Sequence, residues 1–309
     1  MLEGGASHAP ARRPRAWRLL FPSAMESVRR VEPDSWANRL MQAAGGALRL
    51  YHRHTLEGVE HLSGALDAGK RVLLVGNHCL DLVDPLMLTA ALYGATGRIL
   101  RFIVHDNIFF KTPGLRTLAP TWGLVPNRRP ELADAVLRDE GLLMLYPGSG
   151  TEAILRSYRR EPYRLKWDQK LGFVELAARQ RATLLFVAAI GIDELYYQTD
   201  LPMPASLIRF GNAGDADYYE GARVQIGAAG IHLLPGVWPF PVRVVHVISP
   251  PLALPLDLDP DDRAALARAQ VRLWAESQAF LDATVAARTS DFLDRTCRSA
   301  MRWLERLGV

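Results

Sequence analysis

Residues 71–88, RVLLVGNHCLDLVDPLML, constrain the fold more than any other part of the chain. Residues 72–75, led by Arg71, form a continuous apolar run of the length expected for a short buried strand. Gly76 breaks the run, and Asn77-His78 sit where the chain leaves the sheet. Asp84 followed by Pro85 predicts a helix start, with an N-cap residue and proline at the first helical position. Leu86, Met87, Leu88 and Ala91 carry that helix onward. The unit is therefore strand, short loop, helix, with one imidazole and two carboxylates, Asp81 and Asp84, held in the loop. Ligands of open α/β sheets bind beyond the carboxyl ends of the strands. That is where a general base belongs.

The same alternation continues along the chain. Strands are expected over 99–104, 122–126, 142–146, 183–190 and 242–248. Helices are expected from Asp34 or Ser35 to near His52, over 131–139 with Gly141 as the stop, and over 169–180. Residues 111–114 read as a turn. Strand and helix in alternation argue for an α/β domain with a mostly parallel sheet flanked by helices. From 193 to 236 the period is lost, and so long an irregular stretch reads as a functional lid or binding insert. Asp259-Pro260 then cap a helical segment over 259–307, broken near Thr289. Residues 1–33 read as a basic tail, because Gly, Pro, Ala and Arg dominate without any period. Residues 34–309 are expected to form one domain.

Composition narrows the function classes. Hydrophobic residues make up 49% and charged residues 23%, which suits a chain with a sizeable core. The two cysteines, Cys79 and Cys297, offer neither a disulfide framework nor a metal-ligand pair. His52 and His54 lack carboxylate or thiol company and read as surface histidines rather than metal ligands. The net charge of +4 and pI near 9.2 are compatible with an anionic partner. No basic stripe interleaves with aromatics, so nucleic acid is discounted. No run reaches the roughly 18 apolar residues of a spanning helix. In the tail, Arg12, Arg13, Arg15 and Arg18 flank Trp17, which suits either a solvated terminus or a membrane-surface contact.

Two loops carry the chemistry. A neutral imidazole at His78 can take the proton of a hydroxyl as that hydroxyl attacks a thioester, while a carboxylate orients the ring. Spacing leaves two candidates for that carboxylate. Asp84 is favoured, although it could simply cap the helix, and Asp81 would then be the partner. The second loop is YPGSGTE, residues 146–152, where glycines at a strand end let backbone approach a ligand closely. Ser149 between glycines invites a hydrolase reading, but the G-x-S-x-G elbow wants glycine at 147 and Pro147 stands there. Cys79 adjoins His78, yet neighbouring side chains diverge, which argues against a Cys-His dyad.

Four blocks in order, GNHCLDLVDPLML, FKTPGLRTLAPTWGLVPNRRPE, LYPGSGTEAI and PFPVRVVHVISPPLALP, resemble the conserved blocks of the glycerolipid acyltransferases. The resemblance spans about residues 50–255. It is strongest to the branch of diacylglycerol-acyltransferase-like and phytyl-ester-synthase-like proteins, with NH-x₅-D in the first block and YPGG-x-x-E in the third. It implies acyl transfer from acyl-CoA or acyl-carrier protein to a lipid hydroxyl, with His78 as base and Asp84 as its orienter. It implies substrate contacts at Asn77, Asp81, Arg128, Arg129, Pro147, Gly148, Ser149, Gly150 and Glu152. It implies no cofactor beyond the acyl donor as co-substrate. It also implies a cytosolic site on a protein bound peripherally to the inner face of a membrane.

The branch that acylates lysophosphatidate differs at telling positions. It has Asp where Val83 stands here, and its F-P-E-G-T-R block has Glu and Arg where this chain has Gly148 and Glu152. A neutral lipid alcohol such as diacylglycerol is thus the expected acceptor, with lysophosphatidate as the alternative. A lipid esterase or thioesterase, and a lipid-binding protein without turnover, are the readings of other classes.

Overall fold

A computed structural model describes residues 31–79, 82–110, 115–204, 221–232, 238–255 and 257–308. The basic tail up to residue 30, Asp81 and the turn at 111–114 lie outside the described residues.

Helix α1 (Trp36–Tyr51) starts where expected, with the Ser35 hydroxyl accepting from the Asn38 N–H, and it ends on His52. Strand β1 (Thr55–Glu57) and helix α2 (Val59–Asp67) lead into β2 (Val72–Gly76), every residue of which is buried. Helix α3 (Val83–Thr96) returns over the sheet. Short elements follow: β3 (Ile103–Val104), α4 (Asp106–Phe109), α5 (Leu115–Thr121) and β4 (Val125–Pro126). Helix α6 (Pro130–Glu140) and β5 (Leu142–Leu145) come next, then α7 (Gly172–Gln180) and β6 (Thr183–Ile190). Strands β7 (Tyr197–Pro202), β8 (Arg223–Gly227) and β9 (Gly230–His232) precede β10 (Val245–Pro251). Two helices close the chain, α8 (Arg263–Ala286) and α9 (Phe292–Arg306).

The central sheet runs β1-β10-β6-β2-β5. It is parallel except where β10 meets β6. A parallel bridge from Phe102 to Met144 brings the β3–β4 ladder against β5. The protein is thus α/β, with a mostly parallel sheet between helical layers and a helical C-terminal segment.

Alternation along buried strands decides which helix each side chain meets. Leu73, Val75, Leu143, Leu184 and Phe186 pack with α6, α7 and α8 through Leu137, Phe173, Ala177 and Leu273. Val72, Leu74, Met144, Leu185 and Val187 face α2 and α3 through Leu62, Leu88 and Leu92. Each such fully buried aliphatic side chain is worth about 1.5–3 kcal/mol over leaving it in water. Helix α3 has no polar face because α1 covers its outer side. A β-carbon at Gly45 would meet the Leu86 carbonyl oxygen at 2.3 Å, so only glycine allows that approach.

Four sequence expectations change. Asp84 does not cap a helix: α3 begins at Val83 with Leu82 as its N-cap, and the Asp84 carboxylate is spent elsewhere. His52 and His54 are buried rather than surface residues, at 0% and 8% exposure. The stretch 193–236 holds the antiparallel sheet β7-β8-β9, its residues 205–220 and 233–236 lying outside the described residues. Its strands are short and punctuated by Gly and Pro, which hid their period. Asp262, not Asp259, caps α8, accepting from the Ala264 and Ala265 N–H groups. The expected break near Thr289 is where α8 gives way to α9.

Candidate active site

His78 leaves the carboxyl end of β2 one residue after Asn77, and Asn77 explains how that end is held. Its side-chain amide donates to the Ala189 carbonyl at 2.9 Å and accepts from the Ala189 N–H at 2.8 Å. The side chain so mimics one more strand residue against β6. Asn77 is buried and occupied, a support for its neighbour.

The His78 ring lies on the Tyr146 ring, centroids 4.3 Å apart and planes within 6°. The Tyr146 O–H donates to Asp84 Oδ2 at 2.8 Å, and His246 Nε2 meets Asp84 Oδ1 at 2.5 Å. Both carboxylate oxygens of Asp84 are therefore engaged, and neither bond is to His78. His78 Nδ1 is buried without a hydrogen-bond partner among the described residues. Asp84 acts on the imidazole through its charge. Burial pushes the His78 pKa down to about 4, against the upward pull of Asp84, with Arg156 lowering it further. At neutral pH the ring is uncharged.

The backbone of His78 is fixed from the other loop. Glu152 is fully buried in a short π-helical turn, Thr151–Leu155. Its Oε1 accepts from the His78 N–H at 2.6 Å and its Oε2 from the Lys166 N–H at 2.9 Å. Burial raises the Glu152 pKa to about 7, although Arg156 and the two backbone donors pull it down. Arg156 forks onto Asp193 with both bonds at 2.6 Å, and also reaches the His78 carbonyl at 3.4 Å. Asp193 in turn accepts from the Tyr163 N–H at 2.6 Å. Burial alone would lower the Arg156 pKa, but Asp193 raises it. Glu152 thus spends its oxygens on the loop itself.

The glycines of YPGSGTE make room for this. A β-carbon at Gly148 would stand 2.2 Å from Glu152 Oε2. Ser149 occupies left-handed backbone at φ 47°, where L side chains are crowded. Pro147 and Gly150 are buried beside them. Arg128 and Arg129 are exposed, and Arg129 pairs loosely with Glu131 at 3.6 Å. A groove of about 610 Å³ is lined by Arg129, Tyr146, Ser149, Lys170, Arg179 and Arg263 among others, and His78 is not one of its lining residues.

Sequence reasoning named His78, Asp84 and the glycine loop, and the structure brings these together. It took Tyr146 only as the start of that loop, and it did not name His246, His54 or the Arg156–Asp193 pair as parts of the site. Two signals were present. Tyr146 ends the strand that leads into the glycines, and His246 interrupts the apolar run VVHVI, residues 244–248.

Residues 53–189 match the family model described as Acyltransferase. The match takes in His78, Asp84 and the loop of Tyr146 and Glu152, and it stops before His246. It supports acyltransferase activity in general, and with it a transferase. No curated protein matches the chain.

Proposed function

We propose that the protein moves a fatty acyl group from acyl-CoA or acyl-carrier protein to a lipid hydroxyl, with His78 as general base. The observation that carries this is a neutral imidazole at the carboxyl end of a central strand, stacked on Tyr146 and beside the Asp84 charge. The hydroxyl gives its proton to the imidazole as its oxygen attacks the thioester carbonyl. The ester C–O bond forms, the C–S bond breaks, and the departing thiolate takes the proton back from the imidazolium. Arg129, Lys170 and Arg263 along the groove suit the phosphates of coenzyme A or of a phosphopantetheine arm.

A neutral acceptor, diacylglycerol or a long-chain alcohol, fits position 152 best. A phosphomonoester calls for a guanidinium there, and the residue is an inward-turned carboxylate. The test offers diacylglycerol and lysophosphatidate at equal surface concentration with one labelled acyl-CoA, and compares initial rates. Faster acylation of lysophosphatidate rejects the neutral acceptor. Free fatty acid formed without acceptor identifies a hydrolase, and unchanged lipids identify a binding protein.

The same reading places the protein on an anionic membrane face. No helix of the described residues is long and apolar enough to cross a membrane. Helix α9 turns Asp294 and Cys297 inward, while Phe292 and Trp303 stand 72% and 59% exposed. Arg295, Arg302 and Arg306 form an adjacent basic stripe, the pattern of a helix lying in the interface. Sedimentation with phosphatidylglycerol vesicles, lost in high salt and weakened by Phe292→Ser with Trp303→Ser, is the expected result. Equal binding to neutral vesicles would refute it.

A further inference from the structure

Four side chains the reaction scheme leaves unused form one hydrogen-bonded series behind Asp84. Arg49 Nε stands 3.2 Å from His54 Nδ1, His54 Nε2 stands 2.6 Å from His246 Nδ1, and His246 Nε2 reaches Asp84 Oδ1. Tyr146 closes the series on Asp84 Oδ2. These residues come from α1, the turn before β1, β10, α3 and the end of β5. The sheet explains how they meet. Leu56 pairs with His246 in the β1–β10 register, and His54, two residues before Leu56, points to the same face. That face is the one α3 covers, so Asp84 in its first turn comes down onto His246.

The direction of every bond is set from the far end. Arginine has donors and no acceptor, so Arg49 donates and His54 Nδ1 must accept. A neutral His54 then carries its proton on Nε2 and donates it to His246 Nδ1. His246 likewise carries its proton on Nε2 and donates to Asp84. The reverse order, with a protonated Asp84 donating to His246, would leave His54 Nδ1–H facing the Arg49 N–H. His54 and His246 are 8% and 0% exposed, so water cannot relieve that clash. Both rings are therefore one defined tautomer, and Asp84 receives a donor on each oxygen.

Resting on the reading of His78 as a base, we infer that His246, oriented by His54 and Arg49, is a positioning residue. It fixes the Asp84 carboxylate against the Tyr146 hydroxyl, and through the Tyr146 ring it fixes the stacked imidazole of His78. The ring of the base is thus aimed by a stack whose far side is tied down, in place of a direct carboxylate hydrogen bond.

The first measurement needs no substrate. In the full-length protein labelled with ¹⁵N-histidine, long-range proton–nitrogen spectra should show both His54 and His246 as Nε2–H tautomers. Either ring as Nδ1–H, or as an imidazolium, overturns the inference. The second measurement is kinetic. His246→Leu should lower kcat roughly 10- to 100-fold with KM within about twofold, the loss expected for one hydrogen bond to a charged group. His246→Gln, whose amide N–H can reach Asp84, should recover most of that kcat. A folded His246→Leu with wild-type kcat, or a Gln variant as impaired as Leu, also overturns it. Absence of turnover in the wild type would instead reject the acyl-transfer reading, and the tautomer spectra would still decide the series.

Discussion

Two buried polar networks meet at His78 and hold it by different means. On the ring side, Tyr146, Asp84, His246 and His54 bond in series, and the only charges are one carboxylate and the half-buried Arg49 at the end. On the backbone side, Glu152 grips the His78 N–H, and the Arg156–Asp193 fork braces the same loop at 0% and 2% side-chain exposure. The ring side is built from imidazoles and a phenol, and it sets where the His78 ring points. The backbone side is built from ions, and it sets where the loop is. Chemistry and architecture are thus separable within one residue.

The largest effect should come from cutting the two sides apart at their meeting point. His78→Ala removes the base and leaves both networks bonded, since Glu152 needs only the backbone N–H. Turnover should fall about 10²–10⁴-fold while the thermal midpoint stays near wild type. A folded His78→Ala with wild-type turnover would sink the mechanism.

Breaking the backbone side should show in stability instead. Asp193→Ala strands a buried guanidinium, and breaking such a pair costs about 3–5 kcal/mol. Urea midpoints should fall accordingly with the slope unchanged. A loss under about 1 kcal/mol would mean that Glu152 takes over as partner.

The two sides were unequally legible in the sequence. The strand 183–190, the stop at Gly141 and the strand leading to His78 were plain, because continuous apolar runs and a helix C-cap are local signals. Asp84 was read as the partner of His78 and, alternatively, as a helix cap; Leu82 takes the cap position, and the Asp84 oxygens bond Tyr146 and His246. The Asp-Pro pair that suggested a cap says nothing of a histidine 162 residues away. His52 and His54 were placed at the surface because no ligand company stands near them in the sequence. Their company is Val242 and His246, supplied by the crossing of β10 beside β1. Register across a sheet is not written in local pattern.

Acid should discriminate between the two sides. Burial pushes the pKa values of His52 and His78 down to about 4 and that of His54 to about 2, from the ordinary 6.5. As pH falls below about 6.5 the unfolded chain takes up protons that these folded rings refuse, so stability drops. Glu152 works in the opposite sense. With its folded pKa raised from 4.5 to about 7, the folded state gains a proton first, and stability rises as pH falls through that window. The histidines outnumber the carboxyl, and each net proton is worth about 1.4 kcal/mol per pH unit. Stability should therefore decline by roughly 3 kcal/mol per unit around pH 5. His52→Asn, which can still donate to the Val242 carbonyl, should make that decline shallower by about one proton. A pH-independent urea midpoint between 5 and 6.5 would show that the ring side is not neutral.

The smallest effect concerns the turn between the two sides. Ser149 sits at φ 47°, where a β-carbon costs about 1–2 kcal/mol relative to the right-handed region. Glycine would relieve that strain, but it would also loosen the unfolded chain by about 0.4–1 kcal/mol. Ser149→Gly should therefore stabilise the protein by between about 0 and 1.6 kcal/mol. Its effect on turnover is the sharper half of the test. A strained serine on a strand-to-helix turn is also what a hydrolase elbow presents. If His78 acts on an acceptor hydroxyl, nothing in the reaction needs the Ser149 hydroxyl, and Ser149→Gly should transfer acyl groups within about threefold of wild type. If Ser149 forms an acyl-enzyme, the variant would lose on the order of 10³-fold or more despite its added stability. A more stable protein with unchanged transfer would place Ser149 with the architecture of Glu152 rather than with the chemistry of His78.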